Sequence, residues 1–271
     1  MNAVYEMRHL VVKFGTQALI GLDGSLDQAI FAEVARQVAV LRREGVVVSI
    51  VSSGAIKAGR EHLAAMGVDD SSLEKKEISA IGAPHLVGRW GEAFKPHSLA
   101  VAQILVTFSD LQRTPERHSV LSCILNFYRC DIIPVINAND VVSCEEIRSM
   151  ERGGSENDKL ARMIAFLINA DAILFVTACG GIYTGDPQVD SPVHMYREVD
   201  FRASSADLGI SSRMSPHGSG GMRAKYVEAV MCHEAGMCAA IAGVGDIISF
   251  ARGGIAGTLM GDVTRFANIR F

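Results

Sequence analysis

The chain has 271 residues, of which 49 % are hydrophobic and 21 % charged, with 26 basic side chains against 30 acidic ones and a net charge of −4. That length suits one large α/β domain or two small ones. The slightly acidic balance gives no general attraction to nucleic acid or to an anionic membrane. Residues 1–10 contain no apolar stretch resembling a leader, and the longest apolar runs are strand-sized, so a cytoplasmic protein is expected. The six cysteines, Cys123, Cys130, Cys144, Cys179, Cys232 and Cys238, form no CxxC pair and read as mostly buried, reduced thiols. The eight histidines show no metal-ligand spacing, so no protein-built metal site is expected.

Residues 9–14 read as a first strand, broken by Gly15 and Thr16. Residues 26–44 place Ile30, Val34, Val38 and Leu41 at helical spacing, with Ser25 or Asp27 to cap the start and Gly45 to end it. A second strand at 46–51 runs into Ser52-Ser53-Gly54-Ala55 and a helix from about Ile56. Strand, helix, strand, helix implies parallel pairing with right-handed crossovers. Residues 66–73 read as loop and 75–94 as helix, with a break or kink expected at Gly82 and Pro84. A strand at 99–107 and a helix at 116–129 follow.

Residues 131–136 form a short β-branched run, the pattern of a strand buried on both faces, and Asn137, Asn139 and Asp140 lie just beyond it. Residues 141–152 read as a strand or hairpin excursion, 159–169 as helix and 172–176 as a further buried strand ending at Thr177. From there the texture loosens through 180–216, with a glycine cluster at 218–221, a helix at 222–235, a strand at 236–242 and a loop at 253–257. The expected architecture is a three-layer α/β/α sandwich on a mainly parallel sheet. It forms a single domain (1–271) of two lobes, divided near Asn169.

In open α/β sheets ligands bind beyond the carboxyl ends of the strands. Four polar loops follow strands: Lys13 to Thr16, Ser52 to Ala55, Asn137 to Asp140 and Thr177 to Gly180. Two more, around Glu156-Asn157-Asp158-Lys159 and Gly218-Ser219-Gly220-Gly221, open helices, where free N–H groups favour anions. Each has an ordinary reading too. Asn and Asp suit turns, Lys13 could be a lysine at a strand end, and Lys225 could be one of a helix's solvated lysines. The spacing from Gly218 to Lys225 is not that of a Walker A loop, and no GxGxxG follows the first strand. No Ser-His-Asp or Cys-His set is visible, and His62, His217 and His233 read as exposed or core-lining. The lack of an evident base suits a nucleophile that needs no deprotonation, such as a carboxylate with a pKa of about 4.3.

These residues, in this order, resemble the amino acid kinase superfamily, and most closely its glutamate 5-kinase branch. The matching pieces run through 11–16, 52–63, 133–140, 156–160, 181–187 and 218–222 with Lys225. The resemblance implies ATP-dependent phosphorylation of the γ-carboxylate of L-glutamate, the opening step of proline synthesis, with Mg²⁺ as cofactor and a homo-oligomeric state. It implies a substrate-binding lobe at 1–169 and a nucleotide-binding lobe at 170–271; the 271-residue length leaves no room for the extra C-terminal PUA domain of many members, so a short form is expected. Lys13 and Lys225 would stabilise the transferring phosphoryl group and Asp158 would hold the lysines. Ser53, Gly54, Asp140 and Asn157 would bind the acceptor. Lys13, Gly15, Thr177, Ala178, Ser219, Gly220, Gly221, Met222, Arg223, Ala224 and Lys225 would contact the nucleotide. The chain departs from the family pattern at Gln17, Ala83, Ala138, Ala178, Ala224 and around Ser119. A paralogous kinase for another small carboxylate, or a ligand-binding regulator on the same scaffold, is the alternative.

Overall fold

The computed structural model describes residues 8–142, 156–187, 190, 192–200, 202, 208, 210, 221–254 and 256–261. Most of the excursion expected at 141–152, and the glycine cluster up to Gly220, lie outside the described residues.

The first strand, β1 (His9–Phe14), is buried on both faces and pairs in parallel with β2 (Val47–Ser52) on one side and β5 (Ala172–Val176) on the other. Beyond β2 lie β4 (Ile132–Ala138) and the edge strand β3 (Ala100–Val106). Beyond β5 lie β7 (Cys238–Ala242), β8 (Thr258–Met260) and β6 (Glu198–Val199). The order is β3-β4-β2-β1-β5-β7-β8-β6, and the β7–β8 pair alone among the described pairings is antiparallel. The chain moves to one side of β1 first and to the other afterwards. The carboxyl ends of β1, β2 and β5 therefore flank the point where winding reverses, which is where a crevice opens in such sheets.

Helices cover both faces. They are α1 (Gln28–Arg43), α2 (Ala55–Ala65), α3 (Lys75–Phe94), α4 (Phe108–Gln112), α5 (Thr114–Arg129), α6 (Glu156–Leu167), α7 (Met222–Glu234) and α8 (Ile247–Ala251). Side chains alternate across a strand. Leu10, Val12 and Phe14 accordingly enter one core with Phe31, Trp90 and Phe94 from α1 and α3. Val11, Ile173 and Phe175 enter the other, with Leu160 and Ile164 of α6 and Tyr226 and Ala229 of α7. Lys13 shares the parity of Val11. The period of the strand alone therefore aims it at the side where α6 and α7 begin.

Among the described residues the strand and helix pattern expected from sequence matches these elements, with ends shifted by at most three residues. Asp27 caps α1, its side chain accepting from the Ala29 N–H. Two expectations are corrected. Helix α3 runs unbroken through Gly82 and Pro84. Pro84 is on the exposed side, and Gly82 serves contact rather than a break: a Cβ there would lie 1.8 Å from the Ala55 carbonyl oxygen, so α2 and α3 touch backbone to backbone. The cysteines are also less buried than expected. Of the five described, Cys123 and Cys130 are exposed, Cys179 and Cys238 half-buried and Cys232 buried. Helix α5 buries only Ile124 and Tyr128 fully, so Cys123, beside Ile124, falls on the outward side. The short α4, α8, β6 and β8 were not evident from periodicity, which needs more residues than they contain.

Candidate active site

Lys13, Asp158 and Lys225 come together beyond the carboxyl end of β1. The Lys13 Nζ lies 2.5 Å from Asp158 Oδ1 and the Lys225 Nζ 3.3 Å from Asp158 Oδ2. All three are buried, at 1 %, 0 % and 8 % exposure. Each arrives for a local reason. Lys13 is set by strand parity. Asp158 is in the first turn of α6, where a carboxylate is favoured by the helix dipole. Lys225 is in the first turn of α7, the wrong end for a cation, at a cost of roughly 0.3–1 kcal/mol.

Among the described residues the cluster holds two ammonium groups against one carboxylate, an excess of positive charge inside the protein. Burial pushes the Lys13 ammonium down to about 8, with Lys225 adding to the shift and Asp158 opposing it. Burial alone would push Asp158 up, but the two lysines outweigh it and hold its carboxyl below the usual range. Buried ion clusters rarely repay their desolvation, so an unbalanced one points to a missing anion. Gly15 lies against both lysines: a Cβ there would sit 3.8 Å from Lys13 Nζ and from Lys225 Cε, at van der Waals contact. A phosphate would supply the balancing charge.

A second group of residues lies alongside, after β2 and β4. Ser53 Oγ accepts from Asn157 Nδ2 at 3.0 Å, and Asn157 precedes Asp158 in the chain. The Oδ1 of Asn157 is buried without a hydrogen-bond partner. Gly54 takes a positive φ of 114° at the start of α2, a conformation that favours glycine. Asp140, two residues past β4, is half-buried and accepts from Ser79 Oγ at 2.5 Å. Asn157 Oδ1 and the Asp140 carboxylate are acceptors with no cation beside them among the described residues, suited to an ammonium group.

Other expected residues fare differently. The Gly15 N–H already donates to the Val176 carbonyl at 3.5 Å. Thr177 is buried, and its Oγ1 accepts from the Gly180 N–H at 3.1 Å, tying the hydroxyl to its own turn. Asn137 likewise turns inward, its Oδ1 accepting from the Ala138 N–H. Ala178 and Arg223 are exposed and Met222 half-buried, while Ala224 is buried, so only its backbone remains for a ligand. Gly221 caps α7 in an extended conformation. Ser219 and Gly220 lie outside the described residues. Ser79 escaped the sequence reading. The available signal was a small polar residue in the buried stripe of α3 formed by Ser79, Gly82, Leu86 and Trp90.

The comparisons with known proteins agree with this geometry. Residues 8–242 match the amino acid kinase family. The chain is 35 % identical over 235 residues to a glutamate 5-kinase of Dehalococcoides mccartyi, covering 87 % of this chain and 62 % of that protein. It is 36 % identical over 237 residues to a glutamate 5-kinase of Thermus thermophilus, covering 88 % and 62 %. It thus spans about three fifths of the length of these curated relatives. Among solved structures, the carbamate kinase of Giardia lamblia bound to AMP-PNP superposes with a TM-score of 0.66 at 13 % identity, covering 96 % of this chain and 99 % of that one. At that identity the likeness speaks to the fold alone. Over most of its length, then, this chain belongs to the amino acid kinase family.

Proposed function

We propose that the protein transfers the terminal phosphoryl group of ATP to the side-chain carboxylate of L-glutamate. The observation that carries this reading is the buried Lys13–Asp158–Lys225 cluster, in which two lysines face one carboxylate among the described residues. Lys13 and Lys225 would draw charge from the phosphoryl oxygens as the bond to the leaving phosphate loosens. Asp158 would keep both ammonium groups at fixed separation. The acceptor carboxylate attacks already ionised, so no base is required of the protein. Alignment then supplies much of the effect. Asp140 and Asn157 Oδ1 would hold the acceptor's ammonium, with Ser53 and Gly54 beside them.

The nucleotide would lie over the segment 221–225 and the Thr177 turn, on the 170–271 side of the sheet, with the acceptor on the 1–169 side. Among the described residues no group of three His, Cys, Asp or Glu side chains gathers to hold a metal. Mg²⁺ would therefore be bound chiefly through phosphate oxygens, where it neutralises charge. A second copy would pair along β3, a seven-residue strand without a charged side chain whose described partner is β4 alone. The exposed thiols of Cys123 and Cys130 would suit a reducing, cytoplasmic setting. No helix among the described residues is long and apolar enough to cross a membrane.

The test is an ATP-dependent reaction of the purified chain with L-glutamate in hydroxylamine, which traps an acyl phosphate as a hydroxamate. Hydroxamate dependent on both substrates supports the reading. Its absence with glutamate, together with product from another small carboxylate, would favour a paralogous kinase.

A further inference from the structure

Ser79 is in the second turn of α3 and almost wholly buried. A serine inside a helix commonly turns its hydroxyl back to its own helix. Here the hydroxyl instead reaches Asp140, 61 residues away, and donates to Oδ2 at 2.5 Å. Further along the same helix, Trp90 Nε1 donates to Ser52 Oγ at 3.1 Å. Helix α3 thus grips the loop beyond β4 and the last residue of β2. Its distance from α2 is fixed by backbone contact at Gly82 and Gly59, where a Cβ would meet main-chain atoms at 1.8 and 2.2 Å.

We propose that Ser79 is a positioning residue for the acceptor. Its proton, given to Oδ2 of Asp140, locks that carboxylate so that Oδ1 is presented to the acceptor's ammonium group. The proposal rests on the reading of Asp140 as the ammonium site. The carboxylate torsion of an aspartate is broad, so on a half-buried loop it can turn over a wide range. One short bond from a rigid helix removes that freedom before the acceptor arrives, and a fixed geometry is where binding gains most. The bond spends only one oxygen and leaves the negative charge in place. Ser79 and the Ser53–Asn157 pair would therefore set the acceptor from two sides, with α3 holding the register between them.

The experiment uses the full chain and the variants Ser79→Ala and Ser79→Thr. With the bond to a charged group removed, Ser79→Ala should raise KM for L-glutamate about tenfold while kcat and the KM for ATP stay within about twofold. Ser79→Thr, which keeps the hydroxyl, should recover most of the loss. A crystal structure of Ser79→Ala should show the Asp140 carboxylate rotated or split between positions. An unchanged KM for glutamate, or a loss shared equally by both substrates, would overturn the proposal. If the wild-type chain forms no hydroxamate from glutamate, the acceptor reading falls separately. The crystal structure then decides alone: a displaced Asp140 upholds the positioning role, and an unmoved one removes it.

Discussion

Asn157 donates its amide N–H to Ser53 Oγ at 3.0 Å, and in doing so turns its own Oδ1 into a buried position with no hydrogen-bond partner. A buried acceptor left unpaired costs about 1–3 kcal/mol. The expense is explained if an ammonium group of the acceptor supplies the missing donor. Asn157→Ala should then raise KM for glutamate by about tenfold or more, without lowering the melting temperature of the unliganded protein. Steady-state kinetics and a thermal melt check the two halves. A strong fall in melting temperature with unchanged KM would assign Asn157 to the fold instead.

With the Lys13 ammonium held at about 8 chiefly by burial, activity should fall on the alkaline side. Below that pH the lysine is charged and can stabilise the phosphoryl group; above it the charge is lost. The kcat/KM for ATP, which reports the free enzyme, should decline through about pH 8. Stability moves the opposite way. The folded chain holds fewer protons than the unfolded one between about 8 and 10.5, so this residue favours folding increasingly as pH rises across that window. Asp158, held below its ordinary range despite its burial, adds stability that is present above the unfolded carboxylate pKa and lost as pH falls through its folded value. In Lys13→Met the alkaline gain in stability should vanish, as read from denaturant midpoints across pH.

Gly82 and Gly88 are both in α3 yet should respond oppositely to alanine. At Gly82 the new methyl would press on the Ala55 carbonyl at 1.8 Å, whereas at Gly88 nothing lies within 4 Å. Gly88→Ala should stabilise by up to about 1 kcal/mol through helix propensity. Gly82→Ala should destabilise by about 1–3 kcal/mol or more as α2 and α3 are forced apart. It should also raise KM for glutamate, because Ser79 would move with the helix. Matched unfolding curves and kinetics on the two variants check this.

Much of the fold was legible because its strands are short, apolar and regularly interleaved with helices of three turns or more. The side on which Lys13 falls followed only from the cores seen in the structure, where Val11, of the same parity, packs with α6 and α7. The meeting of Lys13, Asp158 and Lys225 was not readable from spacing, since it joins residues from distant parts of the chain, and only the family resemblance anticipated it. Gly82 misled because a glycine that breaks a helix and one that admits a neighbouring backbone look alike in sequence. Ser79 was silent for a related reason: its partner, Asp140, is 61 residues away and belongs to another layer. Thr177 and Asn137 ended as expected at the sheet edge, but their polar atoms bond to nearby backbone, a competition that residue type alone does not reveal.

The central claim is that Lys13 and Lys225 act on the phosphoryl group in flight. The most direct measurement is turnover of Lys13→Ala in the glutamate and ATP reaction, alongside calorimetric binding of ADP to the same variant. The account predicts a loss in kcat of at least about a hundredfold, with ADP affinity little changed and the fold intact. Near-normal turnover in that variant would contradict it.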